Sequence, residues 1–429
     1  MISTLSNPFL QIVALAAIGA LVGSLINWAI YRWGYQTWSY SPWSRPATAA
    51  QPRKLWDRLP IVGWLGLRRD AQLHGPIFWI RPMAIELAWL VGLPCFFYWE
   101  MQGGLVGFDV TPDPTWGEIW FWGHSILVAL MFIATFIDLD QRLIPDRITI
   151  PGTLIGLVIA GLFPSFRLPE LVNGLQTQPI IENLNFMSPD PISSWQTTMP
   201  GCVVGVCIFT VWIFALYPKI IPSRLHPSSL CFMCASMRRI WKHKSLKMHQ
   251  HFRRQAMLLT GLWVIGIILL PCAWQYLPEN TESLFGSLVG VGFAGMLVWL
   301  IRIIGSHALG QEAMGFGDVT LMAMIGAFLG WQAALLIFAF APFAGLLVTF
   351  ANFLFTRDNE LAFGPYLCVS ALGVLLLWST VWPWAGNGIF AVGPVVLIAV
   401  LLVALILFAA MLSAIRWSKD RAFKNADPS

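Results

Sequence analysis

Long apolar runs separated by short polar stretches recur from residue 8 to residue 415. Many approach or exceed the ~20 residues that a helix needs to cross a bilayer. They predict helical spans at 9–31, 83–99, 119–137, 148–164, 198–218, 257–276, 285–304, 319–329, 332–352, 364–382 and 389–415. The expected fold is an all-α polytopic membrane protein of about eleven transmembrane segments, the eighth short and tilted or partly buried in protein. The first run, 8–31, has no basic segment before it and is too long for a signal-peptide core, so it reads as a retained span.

Composition removes the water-soluble alternative. The chain is 57% hydrophobic and 11% charged, with a mean hydropathy of +0.69, against about 25% charged in soluble domains. The seven cysteines are odd in number and irregularly spaced, which argues against a disulfide scaffold. Cys231 and Cys234 form one Cys-x-x-Cys pair near His226. That is an incomplete zinc set, so no metal site is expected.

Charge distribution orients the spans. With the N-terminus outside, the inner segments are 32–82, 138–147, 219–256, 305–318, 353–363 and 416–429. They hold every Lys and Arg except Arg167 and Arg302, the latter at the inner end of its span. The outer stretches 100–118 and 277–284 carry acids and no base. Basic residues gather in cytoplasmic loops, so the C-terminus is expected in the cytoplasm. The basic segment 238–254, with His243, His249 and His251, reads as a topology anchor on anionic lipid headgroups. No nucleic-acid-binding fold signature accompanies it. The outer loop 165–197 is rich in Pro, Asn, Ser and Gln and is expected to be irregular.

Against this background the sequence "TFIDLDQRLIPD" (135–146) places Asp138, Asp140 and Asp146 at the end of an apolar run. Carboxylates at that depth are unfavourable unless compensated. Pro145 favours a break, leaving Asp146 at the start of the following helix, where free backbone N–H groups can be accepted. A second acid, Asp318, follows Gly315 and Gly317 in "GFGD" (315–318) and starts another apolar helix. The orientation brings Asp138 and Asp318 to one depth. Two carboxylates close together tend to share a proton, which suits water activation by one and carbonyl protonation by the other. Proton or cation translocation, and capping at the membrane face, remain open on residues alone. Asp138 and Asp140, two apart, would not share a helix face.

The ordered segments "GALVGSLINWAIYR" (19–32), "RLPIVGWLGL" (58–67), "IRPMAIEL" (80–87), "IDLDQRLIPDRITIP" (137–151), "GFGDVTLMAMIGAFLGW" (315–331) and "FGPYL" (363–367) resemble the type IV prepilin peptidase family of intramembrane GxGD aspartyl proteases. The resemblance implies that Asp138 and Asp318 are the catalytic pair. It gives Asp140, Asp146, Glu86, Gly315, Gly317 and Thr320 supporting places, with Glu86 structural. It further implies cleavage of the basic leader from prepilin or pseudopilin precursors at the cytoplasmic face of the bacterial inner membrane. The other partners expected are membrane lipids and pilus or type II secretion assembly components, with no nucleic acid among them.

Three departures are visible. Segment 32–82 has no Cys, whereas the family usually carries two Cys-x-x-Cys pairs there. The missing thiolates argue against retained methyl transfer, so S-adenosylmethionine is expected only where that second activity persists. Proteolysis itself is expected to need no cofactor. Thr320 stands where the family has Lys, and supplies a hydroxyl in place of a cation. Finally, 180 residues separate the two acids, an excess assigned to the outer loop and an added hairpin. The expected layout is a first span (1–31), a cysteine-free cytoplasmic loop (32–82), spans 2–4 with the first acid (83–197), an inserted hairpin (198–276), a GxGD core (277–382) and an extra span with a tail (383–429). A non-proteolytic relative serving as an assembly factor or transporter is the competing expectation, motivated by Thr320 and the added spans.

Overall fold

A computed structural model describes residues 7–36, 38, 40–46, 49–107, 109–173, 179–190, 194–217, 246–310, 312, 314–355 and 363–426. The CFMC pair, His226, His243 and most of the basic segment lie outside these residues. The long helices are α1 (Pro8–Trp33), α2 (Ile80–Met101), α3 (Pro114–Gln141), α4 (Asp146–Leu162), α5 (Met199–Leu216), α6 (Leu246–Tyr276), α7 (Thr281–Leu309), α8 (Phe316–Phe355), α9 (Gly364–Leu376), α10 (Trp378–Gly388) and α11 (Pro394–Ala426). Their starts follow local chemistry. Asn7 and Asp113 cap α1 and α3 by accepting the N–H of Phe9 and Thr115 at 2.9 and 2.8 Å, each ahead of a proline that has no N–H to lose.

The chain is an all-α polytopic membrane protein, and its helices differ from the eleven expected segments in three places. Among the described residues eight helices are long and apolar enough to cross a membrane, or nine if α9 and α10, bent by 90°, make one span. Two further differences account for the rest. Helix α4 has only 17 residues, about 25 Å of rise against a ~30 Å hydrocarbon core. The segments expected at 319–329 and 332–352 fall on the two legs of α8, which is non-helical between them at Gly330 (φ 85°, ψ 176°), so that they count once among the eight helices.

Gly330 reverses the chain. The first leg of α8 runs alongside α4, with Gly152 against Met324 and Gly156 against Phe328. The second leg returns antiparallel to α9: Ser370 donates to the Ile337 carbonyl at 2.7 Å, and Gly345 meets the Tyr366 ring. The first leg is buried along its length from Val319 to Gly330. Protein rather than lipid therefore surrounds it.

One end of the bundle is closed by segment 164–196. The expectation of an irregular loop is corrected, because β1 (Pro169–Asn173) and β2 (Pro179–Asn183) pair antiparallel there. Buried carbonyls need donors, and side chains from the helices supply them. Trp120 donates to the carbonyls of Ser165 and Arg167, Trp378 to Pro169, Trp331 to Phe186 and Gln332 to Asn185, all at 2.7–3.1 Å. Arg167 is buried under the α7 and α8 backbones, and a Cβ at Gly330 would fall 2.3 Å from its guanidinium. Burial pushes its pKa down to about 10, opposed by the charge of Glu282.

Segment 49–79 folds without any thiolate. Trp64 and Leu67 are buried against α1 and α2 in one cluster. Arg53 binds Asp70 at 2.7 Å, and Arg69 forms a two-pronged pair with Asp57, whose Oδ1 accepts at 3.0 Å. His74 packs on Tyr40 and Phe78, and burial lowers its pKa. Desolvation alone would raise the Asp57 carboxyl, but the bonds from Arg69 and the Lys54 N–H outweigh it and hold the carboxyl below its usual range. A depressed carboxylate contributes stability that is complete above the unfolded pKa of about 4 and is lost as pH falls through the folded one. Acidification below about pH 4 is therefore expected to loosen this segment. Limited proteolysis between residues 53 and 70 should show an acid-dependent step in the intact chain that is missing from Asp57→Asn.

Candidate active site

Asp138 occupies the last turn of α3, and the chain then bends sharply. Arg142 adopts the left-handed conformation (φ 54°) and its N–H donates to the Asp138 carbonyl at 2.7 Å. A non-glycine residue there is uncommon. The bend folds Ile144 back into the bundle, where it is buried. Ile144 is the common neighbour of two remote segments: a Cβ at Gly317 would lie 2.9 Å from its Cβ, and one at Gly364 would lie 2.8 Å from its Cδ1.

The two acids meet around this wedge. Asp138 and Asp318 are only 5% and 7% exposed and lie within electrostatic reach of each other. Each is held by a helix start. Asp138 accepts the N–H of Gly364, the first residue of α9. Free N–H groups and the positive end of a helix dipole suit a carboxylate. Asp318 is the third residue of α8 and reaches back to the N–H of Gly315, one arm of a capping box. Helix starts thus compensate both acids without a basic side chain hydrogen-bonded to either carboxylate among the described residues.

The supporting residues take distinct places. Asp140 points elsewhere, gripped by both guanidinium nitrogens of Arg81 at 2.6 and 2.8 Å, so it ties α3 to α2. Asp146 begins α4 as its first helical residue, with Pro145 as the cap. Glu86 is buried and accepts from Ile61 N–H, Trp64 Nε1 and Asn27 Nδ2 at 2.5, 2.9 and 3.1 Å, joining α1, α2 and the thiol-free segment. It belongs to that junction and not to the acid pair. Gly317 permits the close approach of Ile144, and Gly315 supplies the N–H described above. Thr320 is buried and its hydroxyl donates to the Gly317 carbonyl at 3.0 Å, bracing the GFGD turn.

Some residues at the site carried no signal in the sequence. Ile144 is one more apolar residue there. Cys368 is buried next to the pair, hydrogen-bonded to Thr135 and in electrostatic contact with both acids. Arg302 donates through Nε to the Met314 carbonyl at 2.9 Å, pairs with Glu312 at 2.6 Å and covers the Phe316 ring, fixing the approach to GFGD. Gly364 had a readable cue, since Gly-Pro ahead of an apolar run marks a helix start. Among the described residues no group of three or more His, Cys, Asp or Glu could hold a metal ion.

The family model described as the type IV leader peptidase family matches residues 125–178 and 254–350, which include both acids and the GFGD turn. Over these segments the chain is similar to the type IV leader peptidase family. Relatives include the prepilin leader peptidase/N-methyltransferase of Pseudomonas putida, 29% identical over 144 residues that cover 32% of this chain and 47% of that one. The protein of the same name from Pectobacterium carotovorum subsp. carotovorum is 34% identical over 133 residues, covering 27% and 48%. That from Pseudomonas aeruginosa is 32% identical over 120 residues, covering 26% and 41%. The chain spans less than half the length of these relatives. No solved structure gives a significant match. The matched leader peptidase segments leave out 179–253, which contains α5, and also Glu86 and Gly364.

Proposed function

We propose that the chain is a membrane-embedded aspartic endopeptidase that removes the basic leader from type IV prepilin-like or pseudopilin precursors. The observation that carries this reading is the convergence of Asp138 and Asp318, 180 residues apart in sequence, on one buried site around Ile144. In the proposed reaction the ionised carboxylate takes a proton from water as the water oxygen attacks the scissile carbonyl. The protonated partner donates to the carbonyl oxygen. The tetrahedral intermediate then collapses: the carboxyl that took the proton from water gives it to the leaving amine, and the other carboxylate takes back a hydroxyl proton as the new carboxyl group forms, releasing leader and mature chain.

Location follows from charge. Arg81, Arg142, Arg147 and Arg302 lie at the acid-bearing end, whereas Arg167 belongs to the segment closing the other end. The distribution supports a site at the cytoplasmic face of the bacterial inner membrane, with the N-terminus outside. A leader rich in basic residues would meet an acidic site there. The proposed proteolysis draws on no metal or organic cofactor. Methyl transfer with S-adenosylmethionine is not included, because ion pairs stand where the thiolate set would be. Coexpression with a prepilin-type precursor tests the reading: leader removal is expected, and a precursor that stays full-length beside well-expressed chain would favour the non-proteolytic alternative.

A further inference from the structure

The segment that joins α1 to α2 carries two short helices, Leu55–Arg58 and Val62–Leu67, and its side chains are sorted by charge and by exposure. The acids Asp57 and Asp70 are buried and paired with Arg69 and Arg53. The charged side chains left exposed from 54 to 68 are Lys54, Arg58 and Arg68, all of them cations. Among them Leu55, Trp56, Leu59, Val62 and Leu65 are 52–83% exposed. In water such a cluster of apolar side chains is unfavourable and calls for a covering surface.

Depth identifies that surface. The Ile61 N–H and Trp64 Nε1 both donate to Glu86, which lies five residues beyond Arg81 on α2, ~7.5 Å along the helix. Asn27 also donates to Glu86 and lies five residues short of Arg32 on α1, the same rise. The segment is therefore seated inside the charged ends of both helices. At that depth Leu25 and Leu87, close to Asn27 and Glu86 in sequence, are 63% and 49% exposed, so the lipid-facing belt of α1 and α2 reaches this level. Val62 and Leu65 lie on the face of their helix opposite the buried Trp64 and Leu67, and they extend the belt.

The cations complete the pattern. Arg68 covers the ring of Trp79, the residue that caps α2, and so stands at the level where that helix begins. Arg58 covers the exposed Trp43. Apolar side chains inside the helix ends, with Arg and Trp at the ends themselves, follow the order of a leaflet from acyl chain to headgroup. Exposed charge of a single, positive sign suits anionic lipid.

We infer that residues 54–68 form an interfacial anchor, seated in the leaflet on the side of the acid pair and binding anionic phospholipid headgroups through Lys54, Arg58 and Arg68. The stretch that reads as a cytoplasmic loop thus belongs to the membrane surface. The anchor is independent of the peptidase reading and holds whether or not the chain cuts a precursor.

Photocrosslinking tests it. Benzoylphenylalanine replaces Leu59, Val62 or Leu65 in the full chain, and Leu25 as the lipid-facing control. All four side chains are exposed, so the fold does not depend on them. Each chain is irradiated in bacterial membranes and, after purification, in vesicles of phosphatidylcholine with a minority of phosphatidylglycerol, and the adducts are read by mass spectrometry. Phospholipid adducts are expected at all three positions, as at Leu25. In the vesicles phosphatidylglycerol should be over-represented among them about threefold relative to its share, and Arg58→Gln with Arg68→Gln should return it to that share.

Lipid adducts at Leu25 with none at the three positions would put the face in water. Crosslinked dimers of the chain, or adducts to another protein in the bacterial membranes, would assign it to a second copy or to a protein partner. Phosphatidylglycerol at its plain vesicle share, or an enrichment that survives the loss of both arginines, would remove the headgroup site. Each of these results overturns the anchor.

Discussion

Asp138→Asn and Asp318→Asn are each expected to lower leader cleavage at least ~10³-fold, a barrier increase of about 4 kcal/mol, with no loss of folded protein. Asn keeps the size and can still accept the N–H of Gly364 or Gly315 that holds each side chain. What it cannot do is exchange a proton with water or substrate. The double variant should be little worse than either single one, because residues that act as a unit are not additive. Asp140→Asn should behave differently: it weakens the partly exposed fork with Arg81, a contact of modest worth, and leaves the acid pair in place. Initial rates on one precursor, with expression matched, separate these outcomes.

Gly364→Ala is expected to be nearly as severe, about 10²-fold in kcat, though it removes no functional group. An added Cβ would lie 2.5 Å from Asp138 Oδ2 and 2.8 Å from Ile144 Cδ1. Real Cβ atoms do not come that close, so the carboxylate or the wedge must move, and a displacement of about 1 Å at a reacting group is enough for such a loss. Gly317→Ala presses on Ile144 from the other side, at 2.9 Å, and should show a smaller loss of the same kind. Ile144→Ala opens space and should partly restore Gly364→Ala. If the double variant is slower than Gly364→Ala alone, the wedge account is wrong. Gly373→Ala is the control, since nothing lies within 4 Å of its added Cβ.

Much of this was legible in the sequence because the bilayer makes strong demands. Long apolar runs marked the helices, and basic residues suggested one common depth for the two acids. The reversal at Gly330 falls at the break expected between 319–329 and 332–352, although "GAFLGWQ" is apolar on both sides of the turn. It is set by tertiary contacts: Arg167 against the Gly330 backbone, and Trp331 and Gln332 donating to carbonyls of segment 185–186. The β hairpin was missed because two five-residue strands among Pro, Asn and Gln lack a clear alternation. At the site, acids and glycines stood out as exceptions in an apolar chain. Ile144, whose importance is positional, could not.

The central claim is that Asp138 and Asp318 together cut one peptide bond at the end of a precursor's leader. The most direct measurement is the N-terminus of a prepilin-type precursor recovered from cells with the intact chain, Asp138→Asn or Asp318→Asn, read by mass spectrometry. The account predicts a single new N-terminus after the leader's terminal Gly with the intact chain, and only full-length precursor with either variant. The same new N-terminus at comparable yield from either variant would contradict it.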